Sequence, residues 1–313
     1  MQKLSKRLQA AADFVTDGNR AADIGTDHGF LPIYLVQSGK CPRVIAMDIR
    51  EGPLERAKEH IAAAGLGDVI KTRLSDGMQA LGRAEADSVV ITGMGGLTVL
   101  HILEEASEMV ADLKELVLEP QSDIAKVRRY LREHNMEIDR EELVQEAGKF
   151  YPILHVIPAK PMQRENDSPV QHVIPAKPIQ RENDPLLHAI SAKPMQRGDI
   201  QKVQPELSDE EAENRDRMDQ KLCSLLGGRE RVQGVLDQYG ACTVYGKHPL
   251  LRQMLERDEK RELGILQALE KGFSAADGTQ ERADAARMRR QEVERRLEEI
   301  RALLKMIGQE SKK

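Results

Sequence analysis

Between residues 1 and 157 short apolar runs alternate with amphipathic stretches, and several of the runs end on an acid or a glycine. This alternation constrains the chain more than any other feature. The strand candidates are Ala21–Ile24, Val44–Ile49, Val69–Leu74, Ser88–Thr92, Glu115–Leu118, Glu137–Leu143 and Tyr151–Ile157. Helix candidates fall at Leu31–Gln37, Pro53–Ala64, Leu97–Met109 and Asp123–His134, and another opens the chain, with Leu4, Leu8, Ala11, Ala12 and Val15 at helical spacing. Strands alternating with helices predict an α/β fold, a largely parallel sheet covered on both faces. The last two strand candidates have no helix between them. Parallel neighbours need a long crossover, so one strand of the seven is expected to run antiparallel.

The rest of the chain follows other rules. HVIPAKPMQREND (155–167) recurs as HVIPAKPIQREND (172–184) and, degraded, as HAISAKPMQRGDI (188–200). Proline breaks helices and is excluded from central strands, so residues 158–204 read as an extended linker that grew by tandem duplication. Residues 205–313 read as helical. Val293, Leu297, Ile300, Leu304 and Ile307 step by four and three; Leu251, Leu255, Ile265 and Leu269 share that frame, with Asp258 and Glu262 interrupting it. A turn around Gly272 and Gly278 would fold these into an antiparallel coiled-coil hairpin. A length of 313 residues suits about two domains.

The formal net charge of -5 excludes a globally electrostatic nucleic-acid binder, so any RNA surface must be a local patch. No apolar run reaches the roughly 18 residues of a membrane span, and the N-terminus lacks a signal-peptide stretch. Cys41, Cys223 and Cys242 form no C-x-x-C pair. A reduced cytoplasmic setting without disulfides or a zinc site is the plain expectation.

Four motifs carry chemistry. The first is Asp23-Ile24-Gly25-Thr26-Asp27-His28-Gly29, between a strand and a helix. A glycine there lets the backbone approach a ligand, and Asp23 at the strand end can accept hydrogen bonds. Asp27 occupies the middle-glycine position of a dinucleotide loop, where it would repel a pyrophosphate and tolerate a cationic ligand. The second is Asp48, roughly twenty residues on, in the place of an acid that holds ribose hydroxyls. The third is Ser75-Asp76-Gly77, where Asp76 could accept from an exocyclic amine; in isolation it is also an ordinary turn. The fourth is Thr92-Gly93-Met94-Gly95-Gly96, at the switch point of the sheet, expected as an open floor for a methyl donor and a flat base.

In this order the motifs resemble the TrmK-type bacterial tRNA (adenine22-N1)-methyltransferases. The resemblance rests on Ser5-Lys6-Arg7-Leu8, Ala22 to Pro32, Gly52-Pro53, Gly77, Gly93-Met94-Gly95-Gly96 and Gly148-Lys149-Phe150-Tyr151, and covers residues 1–157. Tyr245-Gly246 and the leucines after it resemble the entry to the family's C-terminal domain. The chain departs at Glu119-Pro120-Gln121, where Gln-Pro-Asn is usual, at Leu54 in place of an aromatic, at Pro152 in place of an acid, and in the proline repeat.

The resemblance implies a class I methyltransferase: a Rossmann-like seven-stranded sheet followed by a helical coiled-coil domain. It implies S-adenosylmethionine as cofactor, held by Asp23, Gly25, Asp27, His28, Gly29, Asp48, Asp76, Gly77, Gly93 and Met94. It implies tRNA as partner. Asp27 is the candidate for favouring charge on the methylated base, or else only shapes the methionine site; both roles stay open. Gly95, Gly96, Lys6, Arg7, Arg128 and Arg129 are the substrate-binding candidates. Lys3, Lys126 and Arg132 add to these patches, and the arginines 287, 289, 290, 295 and 296 of the last helix are candidates to brace a tRNA arm. The rival readings are a methyltransferase for a protein or small molecule and a non-catalytic cofactor-binding adaptor. The oligomeric state is open, a monomer among the options.

Overall fold

The apolar runs of the first half hydrogen-bond into one seven-stranded sheet. The computed structural model describes residues 1–158, 209–273 and 280–308. Its strands are β1 (Ala21–Ile24), β2 (Val44–Asp48), β3 (Ile70–Leu74), β4 (Ser88–Met94), β5 (Glu115–Pro120), β6 (Glu137–Glu146) and β7 (Lys149–Ile157), in the order β3-β2-β1-β4-β5-β7-β6. Neighbours among the first five are parallel, and β7 lies antiparallel to β5 and to β6. The reversed strand is therefore β7.

Helices α1 (Lys6–Phe14), α2 (Phe30–Gln37) and α3 (Glu51–Ala63) cover one face; α4 (Gly96–Glu105), α5 (Ser107–Asp112) and α6 (Ile124–Glu133) cover the other. The strands sort their side chains by parity. Val89, Ile91, Leu116 and Leu118 join the α4–α6 core, while Val90 and Val117 join the α1–α3 core. All six are fully buried. Full burial stabilises each such side chain by about 1.5–3 kcal/mol, which is why continuous apolar runs suit these central strands.

Two boundaries differ from expectation. The single helix expected over 97–109 breaks at Ala106, whose φ of -109° and ψ of 24° are not helical; the bend brings Val110 into the core. The last two strands continue to Glu146 and start again at Lys149, joined by Ala147 and Gly148, both at positive φ, as a two-residue hairpin turn requires.

The helical region comprises α7 (Asp209–Leu226), α8 (Arg229–Tyr239), α9 (Ala241–Tyr245), α10 (Leu251–Phe273) and α11 (Gln280–Gly308). Ion pairs Arg301–Glu259 (2.7 Å), Arg296–Glu262 (3.8 Å) and Arg290–Glu270 (3.6 Å) set α10 and α11 antiparallel. Asp258 and Glu262, which interrupt the apolar frame, lie within α10. They are 2% and 1% exposed, and Arg257 and Arg261 neutralise them at 2.7 and 3.0 Å. The first residues of the repeat, 155–157, form the end of β7, whereas the repeat from residue 159 onward and the turn expected around Gly278 lie outside the described residues.

The chain divides into two units, Met1–Lys160 with Leu207–Lys313, and Pro161–Glu206. Within the first unit, Leu143 of β6 packs with Leu222, Val235, Leu255 and Leu303 of the helices. A buried polar tie reinforces this seam. Arg128 of α6, 5% exposed, donates to Glu141 (2.7 Å) and to the carbonyls of Asp237 (3.0 Å) and Gln238 (2.8 Å) at the end of α8. Glu141 also accepts from Thr243 N and Oγ1, both at 3.3 Å.

Candidate functional site

A cleft of about 720 Å³ opens across the carboxyl ends of β1, β2 and β4. Asp23, Gly25, Asp27, His28, Asp48, Asp76, Gly77, Gly93 and Met94 all line it. This is where side chains from successive parallel strands converge in an open α/β sheet.

The floor is the turn after β1. Gly25 sits at φ +79°, a backbone conformation that favours glycine, and its only close neighbour is the flexible end of Met94. Gly29, at φ +70°, precedes α2 and lets the loop lie close against Ala57 of α3. Asp23 is buried at the end of β1. Burial, and then the Asp48 carboxylate, push its carboxyl up to about 7, with Thr26 opposing. A buried carboxylate of this kind favours a cationic ligand group that would pair with it. Asp48, 5% exposed, accepts from the amides of Arg50 (2.9 Å) and Asp27 (3.4 Å). Its two oxygens keep further acceptor sites, the requirement for a pair of ribose hydroxyls. Gly77, at φ +50°, allows the Asp76 loop to approach Ile102 of α4, where a Cβ would come within 3.0 Å. Ile102 and the 59% exposed Ile49 supply the apolar surface a purine face needs.

Asp27 takes a left-handed φ of 47°. Its carboxylate is 54% exposed and meets Arg56 of α3 at 3.2 Å and His28 at 3.3 Å. It is therefore engaged on the α3 side of the cleft. His28 stacks on Phe30 at 5.3 Å, Phe30 on His60 at 5.0 Å, and His60 Nδ1 lies 2.8 Å from the His28 carbonyl. Arg56 and His60 were not legible as part of this loop: they gain a role only when α3 packs beside it.

The opposite wall is built from β4, β5 and α1. Gly93, at φ +77°, lies at a register shift between Thr92 and Met94. Its N–H donates to Glu119 Oε2 at 2.7 Å, and Arg7 Nη1 donates to the same oxygen at 2.8 Å. Arg7 also lies 3.4 Å from Glu146 and over the Tyr151 ring.

The expected floor of three glycines narrows to Gly93 with Met94. Gly95 caps α4 outside the cleft lining. Gly96 is buried where its own N–H donates to Ser122 O at 3.1 Å and a Cβ would collide with that carbonyl, so its role is close packing. Arg128 leaves the expected surface patch, because its guanidinium is buried on Glu141 and the α8 carbonyls. Arg129 and Arg132 both reach Asp237, at 3.5 and 3.1 Å. Lys3 and Lys6 are exposed at the start of α1, and Lys3 borders the cleft. Among the described residues no group of acids, histidines and cysteines could hold a metal ion, and no helix is long and apolar enough to cross a membrane.

Comparison with known proteins agrees with this geometry. Residues 4–154 match the model of a methyltransferase domain. The tRNA (adenine(22)-N(1))-methyltransferase of Bacillus subtilis is 37% identical over 152 residues, 49% of this chain and 64% of that protein. The chain thus spans less than two thirds of that relative's length in the match. A provisionally named tRNA methyltransferase of Mycoplasma pneumoniae is 34% identical over 161 residues, 50% of this chain and 73% of the relative. The structure of Streptococcus pneumoniae Sp1610 in complex with S-adenosyl-L-methionine superposes with a TM-score of 0.64 at 23% identity, covering 96% of this chain and all of that one.

Proposed function

Because the chain belongs to the TrmK-type family of tRNA (adenine22-N1)-methyltransferases, we propose that it transfers a methyl group from S-adenosylmethionine to N1 of adenine 22 in tRNA. The observation that carries this is the set of three acids, Asp23, Asp48 and Asp76, lining one cleft with Gly25, Gly77 and Gly93, all three at positive φ. Asp23 suits the methionine ammonium, Asp48 the ribose hydroxyls and Asp76 the adenine amine. The cofactor supplies the activated methyl.

The chain's own residues have one task beyond holding it. N1 of adenine carries an in-plane lone pair, so attack needs no strong base. Rate then comes from holding N1 in line with the methyl in a water-poor cleft. N1 lies on the Watson–Crick edge, so the base must leave any pairing before it reaches the cleft. Of the two roles open to Asp27, its contacts with Arg56 and His28 favour cofactor binding. Lys3 and Lys6 are the cations on which we place the first phosphate contacts. No acid lies within ion-pair distance of either among the described residues, whereas Arg129 is drawn to Asp237 and Arg289, Arg290 and Arg296 to neighbouring glutamates. In the same reading residues 1–157 carry catalysis, 158–204 are the inserted repeat, and 205–313 form the helical domain that braces the tRNA. One chain, working in the cytoplasm, supplies every residue of the cleft.

The test is methyl transfer from labelled S-adenosylmethionine to unmodified tRNA, with the nucleoside identified by mass spectrometry. N1-methyladenosine that disappears when adenine 22 is replaced is the expected result. Cofactor binding with unlabelled tRNA would move the substrate to a protein or small molecule, or make the chain an adaptor.

A further inference from the structure

Glu119 stands apart from the acids assigned so far. It is 0% exposed at the carboxyl end of β5, yet it sits directly behind the cleft wall. Its Oε2 collects two donors, the Gly93 N–H at 2.7 Å and Arg7 Nη1 at 2.8 Å, and both donor residues line the cleft. Its Oε1 is buried without a hydrogen-bond partner. Burial raises its carboxyl pKa even though Arg7 opposes the shift. A buried carboxylate costs several kcal/mol in desolvation and is tolerated where charge-assisted bonds offset it.

The two donors come from elements that otherwise touch little. Arg7 belongs to α1, and through Glu146 and Tyr151 it also holds the β6–β7 hairpin. Gly93 is the residue at the register shift of β4, between Thr92 and Met94, which pair with Glu119 and Pro120 of β5; it has a backbone conformation only glycine adopts freely, and its own N–H leaves the ladder for the Glu119 carboxylate. Space above Gly93 is bounded by Arg7 Nη1 and Gln121 Nε2, 3.7 and 3.8 Å from where a Cβ would stand.

Resting on the function proposed above, we infer that Glu119 is the positioning residue of the methyl-acceptor wall: by gripping Gly93 N–H and Arg7 together it fixes the surface on which the acceptor base lies. It acts through these two residues and touches neither cofactor nor base. The acids of the cofactor site, on β1, β2 and the loop after β3, are independent of it.

The experiment compares wild type, E119Q, E119A and R7A in steady-state methylation of unmodified tRNA, with S-adenosylhomocysteine affinity measured by calorimetry. Displacing a reacting group by about an ångström costs on the order of 100-fold in rate, so E119A should lose about that much kcat while the S-adenosylhomocysteine Kd stays unchanged. E119Q keeps an oxygen acceptor for both donors and should stay within about tenfold of wild type. R7A should fall between them. Equal losses in E119Q and E119A, or loss of S-adenosylhomocysteine affinity in parallel with kcat, would overturn the assignment. Hydrogen–deuterium exchange gives a readout that needs no substrate. E119A should exchange faster over residues 1–10 and 92–97 and unchanged over 21–29; unchanged exchange in the first two segments also overturns it. If the wild-type protein binds S-adenosylhomocysteine but methylates no tRNA, the substrate reading fails, and the exchange result still decides the role of Glu119.

Discussion

At the scale of single residues, burial decides which acids work as ligands and which hold the fold. Asp23 is raised to about 7 chiefly because it is buried, so near neutrality it is only partly ionised. In the function proposed above, a cationic methionine ammonium would bind the carboxylate form. The affinity for S-adenosylhomocysteine should therefore fall as pH drops below about 7, and Asp23→Asn should bind weakly at every pH without that dependence. Calorimetry across the neutral range reads both. Glu115 and His155 show the other use. His155 lies between Asp139 (2.5 Å) and Glu115 (3.0 Å), and Glu115 also accepts from Ser88 Oγ and Thr16. Burial works against charging His155, but its bonds to Asp139 and Glu115 outweigh it and raise the pKa. Burial likewise works to raise Glu115, while His155, Ser88 and Thr16 hold it down at about 2. A raised imidazole contributes stability below its unfolded value of about 6.5 and loses it as pH climbs through the folded value. The lowered Glu115 contributes above the ordinary carboxylate range and loses it only toward about pH 2. The melting temperature of the wild type should therefore decline on the alkaline side. His155→Gln should melt lower at neutral pH and lack that decline.

At the scale of elements, the tie between α6, β6 and α8 gives the sharpest stability prediction. Arg128 and Glu141 are 5% and 1% exposed at the side chain and 2.7 Å apart. Removing one partner of a buried pair costs about 3–5 kcal/mol because the other charge is left uncompensated. Arg128→Ala should show that loss in denaturant unfolding, with no change in the salt dependence of tRNA binding. A steeper or shallower salt slope would return Arg128 to the RNA surface. The same tie shows what could be seen in the sequence. Strands β1, β2 and β4 were legible as short apolar runs with Asp23, Asp48 and Gly93 at or near their carboxyl ends, and the turns after them were marked by glycines, which sit at positive φ in the fold. Arg128 was not, since its partners lie 13 and more than 100 positions away and a helical arginine is usually solvated. Asp258 and Glu262 were legible as interruptions of the apolar frame, but their burial and compensation by Arg257 and Arg261 were not, because these depend on the packing of α10. The break at Ala106 follows from tertiary packing, with no proline or glycine to mark it.

For the molecule as a whole, a net charge of -5 means that the proposed attraction for tRNA must be local. Most described arginines of α6 and α11 are committed to acids, which leaves the start of α1 as the cationic edge beside the cleft. The salt dependence of tRNA binding should therefore be shallow, and Lys3→Ala and Lys6→Ala should each reduce the slope of log K against log salt by about one. Filter binding over a salt series would show it; slopes unchanged in both variants would place the contacts elsewhere.

The order β5-β7-β6 has a consequence during synthesis. Strand β6 leaves the ribosome before β7, but β7 is its hydrogen-bonding partner and the one that joins it to β5. Until Ile157 has emerged, the nascent chain carries an unpaired edge on β5 and a strand with no neighbour. Open edges of this kind recruit other chains. The sheet therefore closes by insertion of its last-made strand, so a nascent chain halted with β6 but not β7 outside the ribosome would display a nearly complete sheet in its most aggregation-prone form.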